Sequence, residues 1–544
     1  MNLRRRTGIL GMVAVVAITA TACQSSPSSS TNTTGSTTVV YATPSLALTM
    51  DPCFLPGQQT AEVLQNLYWE WVNYKVQPGP NGIQVDDTQD GEAGMTSGVL
   101  DSWELSPDGK VYTLHLHHGV IDSYGNELTA DDMRWILDRT VHSAGCNFVT
   151  NTESITDVSQ QVKVLDNYTL QVTLPAPDAQ FLRALNVNNG MAFGAATARK
   201  YATASDPWAY TWMKTHAPST GPYMLQSWTP GVEQVLVLNP HWFGPKPSIT
   251  KIIYRQVPED SNRLALLLNG SVQIARDLTQ NELDNVNQNS SKGVYTQCIA
   301  GNQFVYIALN FASGPTSKLA VRQALAYAMP YSDILSSVYH GRAQRLYGMV
   351  TGNYVDYLGD SAYPYNTNVA MAKQLLASAG YPKGFTATIL VDAGQPIHGQ
   401  IAVLLKDAFS QIGVTLNIDQ KPTAAFQSAA FGRTFGDMVL DQNYSFILDP
   451  DYHSQVWVAY GPPPNFNFGD FVNNEFITLQ KEGVTTPEGP ARATEMKRLQ
   501  QIFNDQVVWL SVANAPTCFA FAKSVTGYVW HTHNQIIFSD LKVS

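Results

Sequence analysis

Three sets of side chains in this 544-residue chain are spaced so that they could do chemistry. His115, His117 and His118 form one histidine run, and His531 and His533 form another near the C-terminus. Imidazoles this close can ligate a metal ion, but on a strand His115 and His117 share one face, His118 takes the other, and no fourth ligand follows nearby. The pair at 531 and 533 has the same weakness. Asp437, Asp441, Asp449 and Asp451 could supply two carboxylates for glycoside hydrolysis, yet nothing in the sequence sets the separation that reaction needs. Cys53, Cys146, Cys298 and Cys518 lie too far apart for zinc, whose cysteine ligands come in close pairs. No G-x-S-x-G elbow, H-E-x-x-H, Walker loop or Gly-rich dinucleotide turn occurs. The expectation is a protein without catalytic residues, metal or cofactor.

The first residues set the compartment. Arg4, Arg5 and Arg6 precede a short apolar run that ends in Ala20-Thr21-Ala22-Cys23. A charged start, a brief apolar stretch and small residues make a secretory signal. The run is shorter than the roughly 20 apolar residues a membrane span needs. A cysteine right after the small residues is the lipoprotein form, with Ala20 where leucine is usual. Residues 1–22 are therefore expected to be a signal peptide and Cys23 the site of a membrane-anchoring lipid. Ordinary secretion, with Cys23 removed or left free, is the alternative. Residues 23–37 are almost only Ser, Thr, Asn, Gly and Pro beyond that cysteine, and read as a flexible tether.

Losing the three signal arginines takes the net charge from −10 to −13, which argues against a nucleic-acid or anionic-membrane surface. Only 14% of residues are charged while 10% are aromatic, a chemistry suited to holding small neutral or zwitterionic ligands. No later apolar run is long enough to span a membrane. In an exported chain the four remaining cysteines favour two disulfides, with three connectivities open, or else buried free thiols.

The elements that must position a site are clearest between residues 100 and 140. Ser106-Pro107-Asp108-Gly109 is a turn, and the alternation after it, Val111 to His117, predicts a β-hairpin. Thr129 caps a helix with Asp132 in its first turn. Further strands are expected at 162–174, 221–225, 234–238, 252–257, 304–310, 386–391 and 414–420. Helices are expected at 261–268, 320–328, 369–379 and 400–411, three of them stopped by Gly270, Gly380 and Gly413. Strand pairs followed by helices and long returns predict mixed α/β lobes.

These blocks, taken in order, resemble the family 5 solute-binding proteins of ABC importers, the dipeptide, oligopeptide and nickel-binding group. The resemblance rests on Leu100 to Asp132 with Trp103, Asp108-Gly109, Tyr112 and Gly119-Val120. It continues through Thr220-Gly221-Pro222-Tyr223, Trp228, Gly231, Asn239-Pro240, Trp242 and Gly244, then Tyr306 to Asn310, Val321 to Ala328, Ala372 to Pro382 and Ile412-Gly413-Val414. It implies an α/β, two-lobed periplasmic-binding-protein-like fold whose hinge the chain crosses twice. Lobe I would comprise 38–300, with an inserted subdomain at about 76–204, and the return at 507–544; lobe II would be 301–506. Cys53–Cys146 and Cys298–Cys518 are then the favoured disulfides, since each pair could lie within one lobe.

The resemblance further implies a receptor, expected to be monomeric, that hands a peptide or other small solute to ABC permease subunits, sits on the membrane through its lipid, and binds no nucleic acid. In peptide-binding relatives an aspartate three residues before the D-P-D motif pairs with the ligand's ammonium. Here that motif is Asp449-Pro450-Asp451, and the position is Phe446. A buried ammonium without a carboxylate is costly, so Asp441 or Asp449 must substitute if free peptides bind. Asn443, Tyr444, Ser445 and Phe446 offer neutral hydrogen bonds and stacking faces that suit sugars as well as peptide backbones. Phe54, Trp69, Trp509 and Asn514 are further wall candidates, each readable instead as core or interface packing. An oligopeptide receptor is expected, with an oligosaccharide receptor as the alternative and a secreted hydrolase as the different class.

Overall fold

The computed structural model describes residues 37–54, 57–143, 154–187, 191–459 and 466–544. The signal segment and Cys23 lie outside the described residues, as does all of the tether but residue 37. The local signals around residues 100–140 produce what they should. Strands Leu100–Leu105 and Val111–Leu116 pair antiparallel, and the Gly109 N–H donates to the Ser106 carbonyl at 2.8 Å with Gly109 at φ +71°. Helix Ala130–His142 opens with a reciprocal capping box between Thr129 and Asp132. The single strand expected at 162–174 is a hairpin, Val162–Asp166 and Thr169–Thr173. The reason is local: Asp166 accepts the Tyr168 N–H at 2.8 Å and turns the chain. These four strands make one small antiparallel sheet.

The main sheet, counted among the described residues, has eleven strands. Two are unusually long, Val294–Leu309 and Trp509–Ala522, and they pair antiparallel along most of their length. Their outer neighbours differ at the two ends. Phe519–Phe521 carry Ile274–Arg276, which leads to Thr38–Thr43, Lys251–Gln256 and the hairpin Tyr223–Thr229 with Glu233–Leu238. Gln303–Leu309 carry Met438–Tyr444, then Thr386–Asp392 and Thr415–Lys421. Helix Pro396–Ser410 is the crossover between the last two, which are parallel. Between the two halves the ladder breaks: Ala300 faces Pro516 and the next pair is Gln303 with Ala515. Gly301 and Asn302 are the extra residues of this bulge. Phe304 to Leu309 are buried on both faces of their strand, as a central strand covered on both sides must be.

Cys298 and Cys518 face each other in the register and form a disulfide. Cys53 is also disulfide-bonded, while Cys146 lies outside the described residues. No helix of the described residues is long and apolar enough to cross a membrane.

One buried ion pair ties helix Ala130–His142 to the early part of the described chain. The Arg139 guanidinium grips Asp51 through two bonds, 2.8 and 2.5 Å, with both side chains fully buried. Arg139→Gln strands the Asp51 carboxylate without a cation, and should cost about 3–5 kcal/mol in urea unfolding. A loss below about 1 kcal/mol, the scale of exposed pairs, would mean that the two sites are not coupled through this pair.

Candidate functional site

A cavity of about 430 Å³ lies where the two halves of the main sheet meet, a size within the ~300–1,000 Å³ of ordinary ligand pockets. Gln303 and the run Asp441-Gln442-Asn443-Tyr444 reach it from paired strands. Gln58 comes from the first turn of helix Gln58–Leu67, in the other half of the chain. Asp392, Gln395 and His398 stand at the junction of strand Thr386–Asp392 and the helix after it. Phe426 and Phe431 come from helix Thr423–Phe431, and Phe466 and Phe468 complete an aromatic side.

The wall carries acids and amides. Asp441 accepts the Tyr306 hydroxyl at 3.2 Å and the Asn443 amide at 2.8 Å, and no cation pairs with it among the described residues. Part of Asp441 faces the cavity, but the surrounding protein withholds bulk water, and its pKa is pushed up to about 6, with Asp392 adding repulsion. Asp392 is held by the Gly394 N–H and the Thr423 hydroxyl, both at 2.8 Å. His398 is buried, no hydrogen bond of normal length reaches either ring nitrogen, and the Gln442 side chain lies near enough to interact with it. Burial lowers its pKa to about 4, so at pH 7 it is a neutral ring with one donor and one acceptor to offer. Arg276 donates to Gln58 at 3.1 Å, but its charge is matched by Glu62 at 3.1 Å and Asp277 at 3.2 Å. This arrangement can bind amines, amides and flat apolar groups.

Of the residues singled out in the sequence, Asp441, Asn443 and Tyr444 line this cavity. Ser445 is fully buried and donates to the Ile447 carbonyl, and Phe446 packs on the Tyr444 ring. Trp509 is stacked on Tyr306 inside the core. Asn514 holds the Gly301 carbonyl at the bulge. Phe54 meets Tyr210 edge-on near the surface. Trp69 borders a separate cavity of about 270 Å³, in contact with His117, Trp242 and Phe243. The histidines have structural partners. His531 bridges Asp86 and Asp540, His533 meets Glu70, and His118 stacks on Tyr168. No metal cluster occurs among the described residues. His398, Asp392, Gln303 and Gln58 carried no sequence signal. Asp441 had one, the change from apolar Met438-Val439-Leu440 to polar residues within one strand.

Asp449 is taken by a buried network. Arg183 reaches it at 2.6 Å and Arg492 at 2.8 Å, while Gln180 holds Asp451 at 2.9 Å. Burial alone would raise the Asp449 pKa, but the two guanidiniums hold it well below the usual carboxylate range. Burial and the Asp449 charge push Asp451 the other way. Asp437 accepts the Thr388 N–H, and of the four aspartates only Asp441 lines the cavity.

Residues 94–465, well over half of the chain, match the family model described as bacterial extracellular solute-binding proteins, family 5 Middle. The chain belongs to that family. Heme-binding protein A of Haemophilus influenzae is 26% identical over 517 residues, covering 91% of this chain and 90% of its own length. The dipeptide-binding protein of Escherichia coli is 25% identical over 475 residues, covering 81% and 84%. The structure of a DppA periplasmic binding protein from Helicobacter pylori in complex with the peptide STSA matches with a TM-score of 0.74 at 22% identity, covering 93% and 98%. The fold is accordingly the two-lobed α/β fold of these receptors. The chain is an extracytoplasmic substrate-binding component of an ABC importer, and not an enzyme.

The Asp449 network makes stability depend on pH. A carboxylate with a lower pKa folded than unfolded lends stability above the unfolded value, near 3.9, and loses it as pH falls through the folded one. Wild type should therefore lose urea stability more steeply than Asp449→Asn on acidification from about pH 5 to about pH 2. At pH 7 the variant leaves two buried guanidiniums short of a partner and should be less stable by about 3–5 kcal/mol. Parallel curves for the two proteins would place the acid sensitivity elsewhere.

Proposed function

We propose that the chain is a lipid-anchored, monomeric receptor that captures oligopeptides between two lobes and delivers them to its permease. Lobe I is residues 38–300 with the subdomain at about 76–204, and lobe II begins at 301. Lobe II ends at 506 and residues 507–544 return to lobe I, with Trp509 to Ala515 pairing with Ala308 to Gln303 just past that second crossing. A ligand that touches Gln58 on one side and Asp441 or His398 on the other favours the closed state by binding it better.

The observation that carries this reading is Asp441, a carboxylate on the cavity wall with no cationic partner among the described residues. The position that usually supplies the ammonium's partner is Phe446, and Asp449 is spent on Arg183 and Arg492. Asp441 therefore takes the ligand's ammonium, while Gln303, Gln442 and Asn443 bind its backbone. The aromatic side of the cavity favours a second reading, a neutral oligosaccharide stacked on Phe426 and Phe431. Cys23 carries the lipid that keeps the receptor near its permease.

Titration calorimetry with a pool of C-terminally amidated peptides and an oligosaccharide pool separates the readings. Peptides should bind, and Asp441→Asn should weaken them at least about 30-fold, in line with the ~2–5 kcal/mol of a broken buried charge pair. Because the Asp441 pKa is raised in the fold, its charge costs stability above the unfolded carboxylate pKa, so the variant should unfold at the same or a higher urea concentration at pH 7. Sugar binding that survives the substitution would replace the peptide reading. For the anchor, Cys23→Ser should move the protein from the membrane fraction to the medium. Retention on the membrane would sink the lipid assignment.

A further inference from the structure

We propose that the cavity accepts the amine end of its cargo and rejects a free carboxylate, so the preferred ligand is a cationic amine whose carboxyl group is absent, capped or held outside. This deepens the reading above, since it uses the same cavity. Beside the Tyr444 phenol, the ionisable groups on the wall are Asp392, Asp441 and His398; among the described residues none is Lys or Arg. The cations nearby in sequence are already matched, Lys421 by Asp419 and Arg433 by Asp470. Arg276, which touches Gln58, is matched by Glu62 and Asp277.

A carboxylate entering this space gives up its water, meets no cation and faces two acids. That is the unfavourable half of charge burial without the favourable half. An ammonium meets the reverse situation. Asp441 lacks a cation, and Asp392 is fixed by Gly394 and Thr423 with its charge on the same wall. The buried ring of His398, with no hydrogen bond at normal distance and only the Gln442 side chain near enough to interact, is an independent pointer to a ligand, since burying such a ring is costly until something bonds to it. As a neutral ring it can pair with an amide N–H or carbonyl but cannot supply the missing positive charge.

Length then matters. A chain spans at most about 3.3–3.6 Å per residue, so a tripeptide holds its two ends roughly 10 Å apart. A short peptide cannot seat its amine at Asp441 without drawing its carboxylate in, whereas a longer one can leave it in solvent.

The test is titration calorimetry of the full mature chain at pH 7. The probes are Ala-Leu-Ala as free acid, as C-terminal amide and as N-acetylated amide, together with 1,5-diaminopentane. The amide should bind at least about tenfold tighter than the acid, and acetylation should abolish that binding. Gln427→Arg, which puts a cation on the exposed side of the cavity helix, should shift the preference toward the acid by about tenfold or more. Acid binding equal to or tighter than amide binding in wild type would overturn the inference and leave the peptide receptor intact. Equal binding of the acetylated and free-amine amides would overturn it too, because the amine would then go unread. Binding of 1,5-diaminopentane without any peptide would uphold it and remove the peptide reading. Silence from all four probes would overturn both.

Discussion

The junction between the two long strands is the constraint on which the rest of this molecule depends. Val294–Leu309 and Trp509–Ala522 are shared by both halves of the main sheet, and their ladder shifts register at two places, between Val305 and Tyr306 and, more widely, at the bulge opposite Pro516. A bulge leaves backbone groups unpaired, and buried unpaired groups are costly. Here the cost is met by side chains. The Asn302 amide donates to the Ser445 carbonyl at 2.7 Å and the Thr532 carbonyl at 2.6 Å, while its own carbonyl accepts from Asn534 at 2.6 Å. Gly301 lies so close to the Trp530 indole that a Cβ would come within 2.3 Å of it. One asparagine thus bonds to both halves, and one glycine lets the tryptophan seal the gap.

That junction also explains the position of the cavity. Gln303 is the first residue to resume the ladder, opposite Ala515 and Tyr444, so it faces the space just beyond the break. Asp441 to Tyr444 run along the neighbouring strand toward the same point. A cavity at the edge of a bulge is walled by whatever the two halves present there, and its shape changes with any rotation about the bulge. Asp449, eight positions beyond Asp441, has a different role. It caps a helix at Asp451 and neutralises two buried arginines, Arg183 and Arg492, that lie far apart in the sequence. The D-P-D segment is therefore a packing device in this chain, and the acid that faces the cavity lies upstream of it.

The parts of this organisation legible in the sequence were those governed by neighbours along the chain. The 106–109 turn, the Thr129 cap and the glycines at 270, 380 and 413 each act within a few residues, and each appears where expected. The family blocks carried the overall fold. The long strands were not legible as such. The first half of Val294–Leu309 is a half-buried stretch of mixed polarity without clean alternation, and the reason for its length is a partner more than two hundred residues away. The site was less legible still. Asp441, Asn443 and Tyr444 reached the cavity, but Trp509 and Asn514 went to the core and the bulge because their strand turns those positions inward. His398 lies on a helix whose pattern predicts only burial, and nothing local distinguishes a core histidine from one that waits for a ligand.

A receptor of this kind has to avoid closing when empty, and the charge on the cavity wall bears on that. In an open cleft a carboxylate such as Asp441 is hydrated at little cost. Closing around an empty cavity would strip water from it, and burial already raises its pKa to about 6 here. His398 adds to that cost, with no hydrogen bond of normal length to either ring nitrogen. An amine ligand removes both terms at once, by supplying the counter-charge and the missing hydrogen bonds. Its differential affinity for the closed state then exceeds what its direct contacts contribute, because the empty closed state is itself destabilised. A ligand that brings a second negative charge removes neither term. Selectivity for charge and the coupling of binding to closure thus rest on the same few side chains.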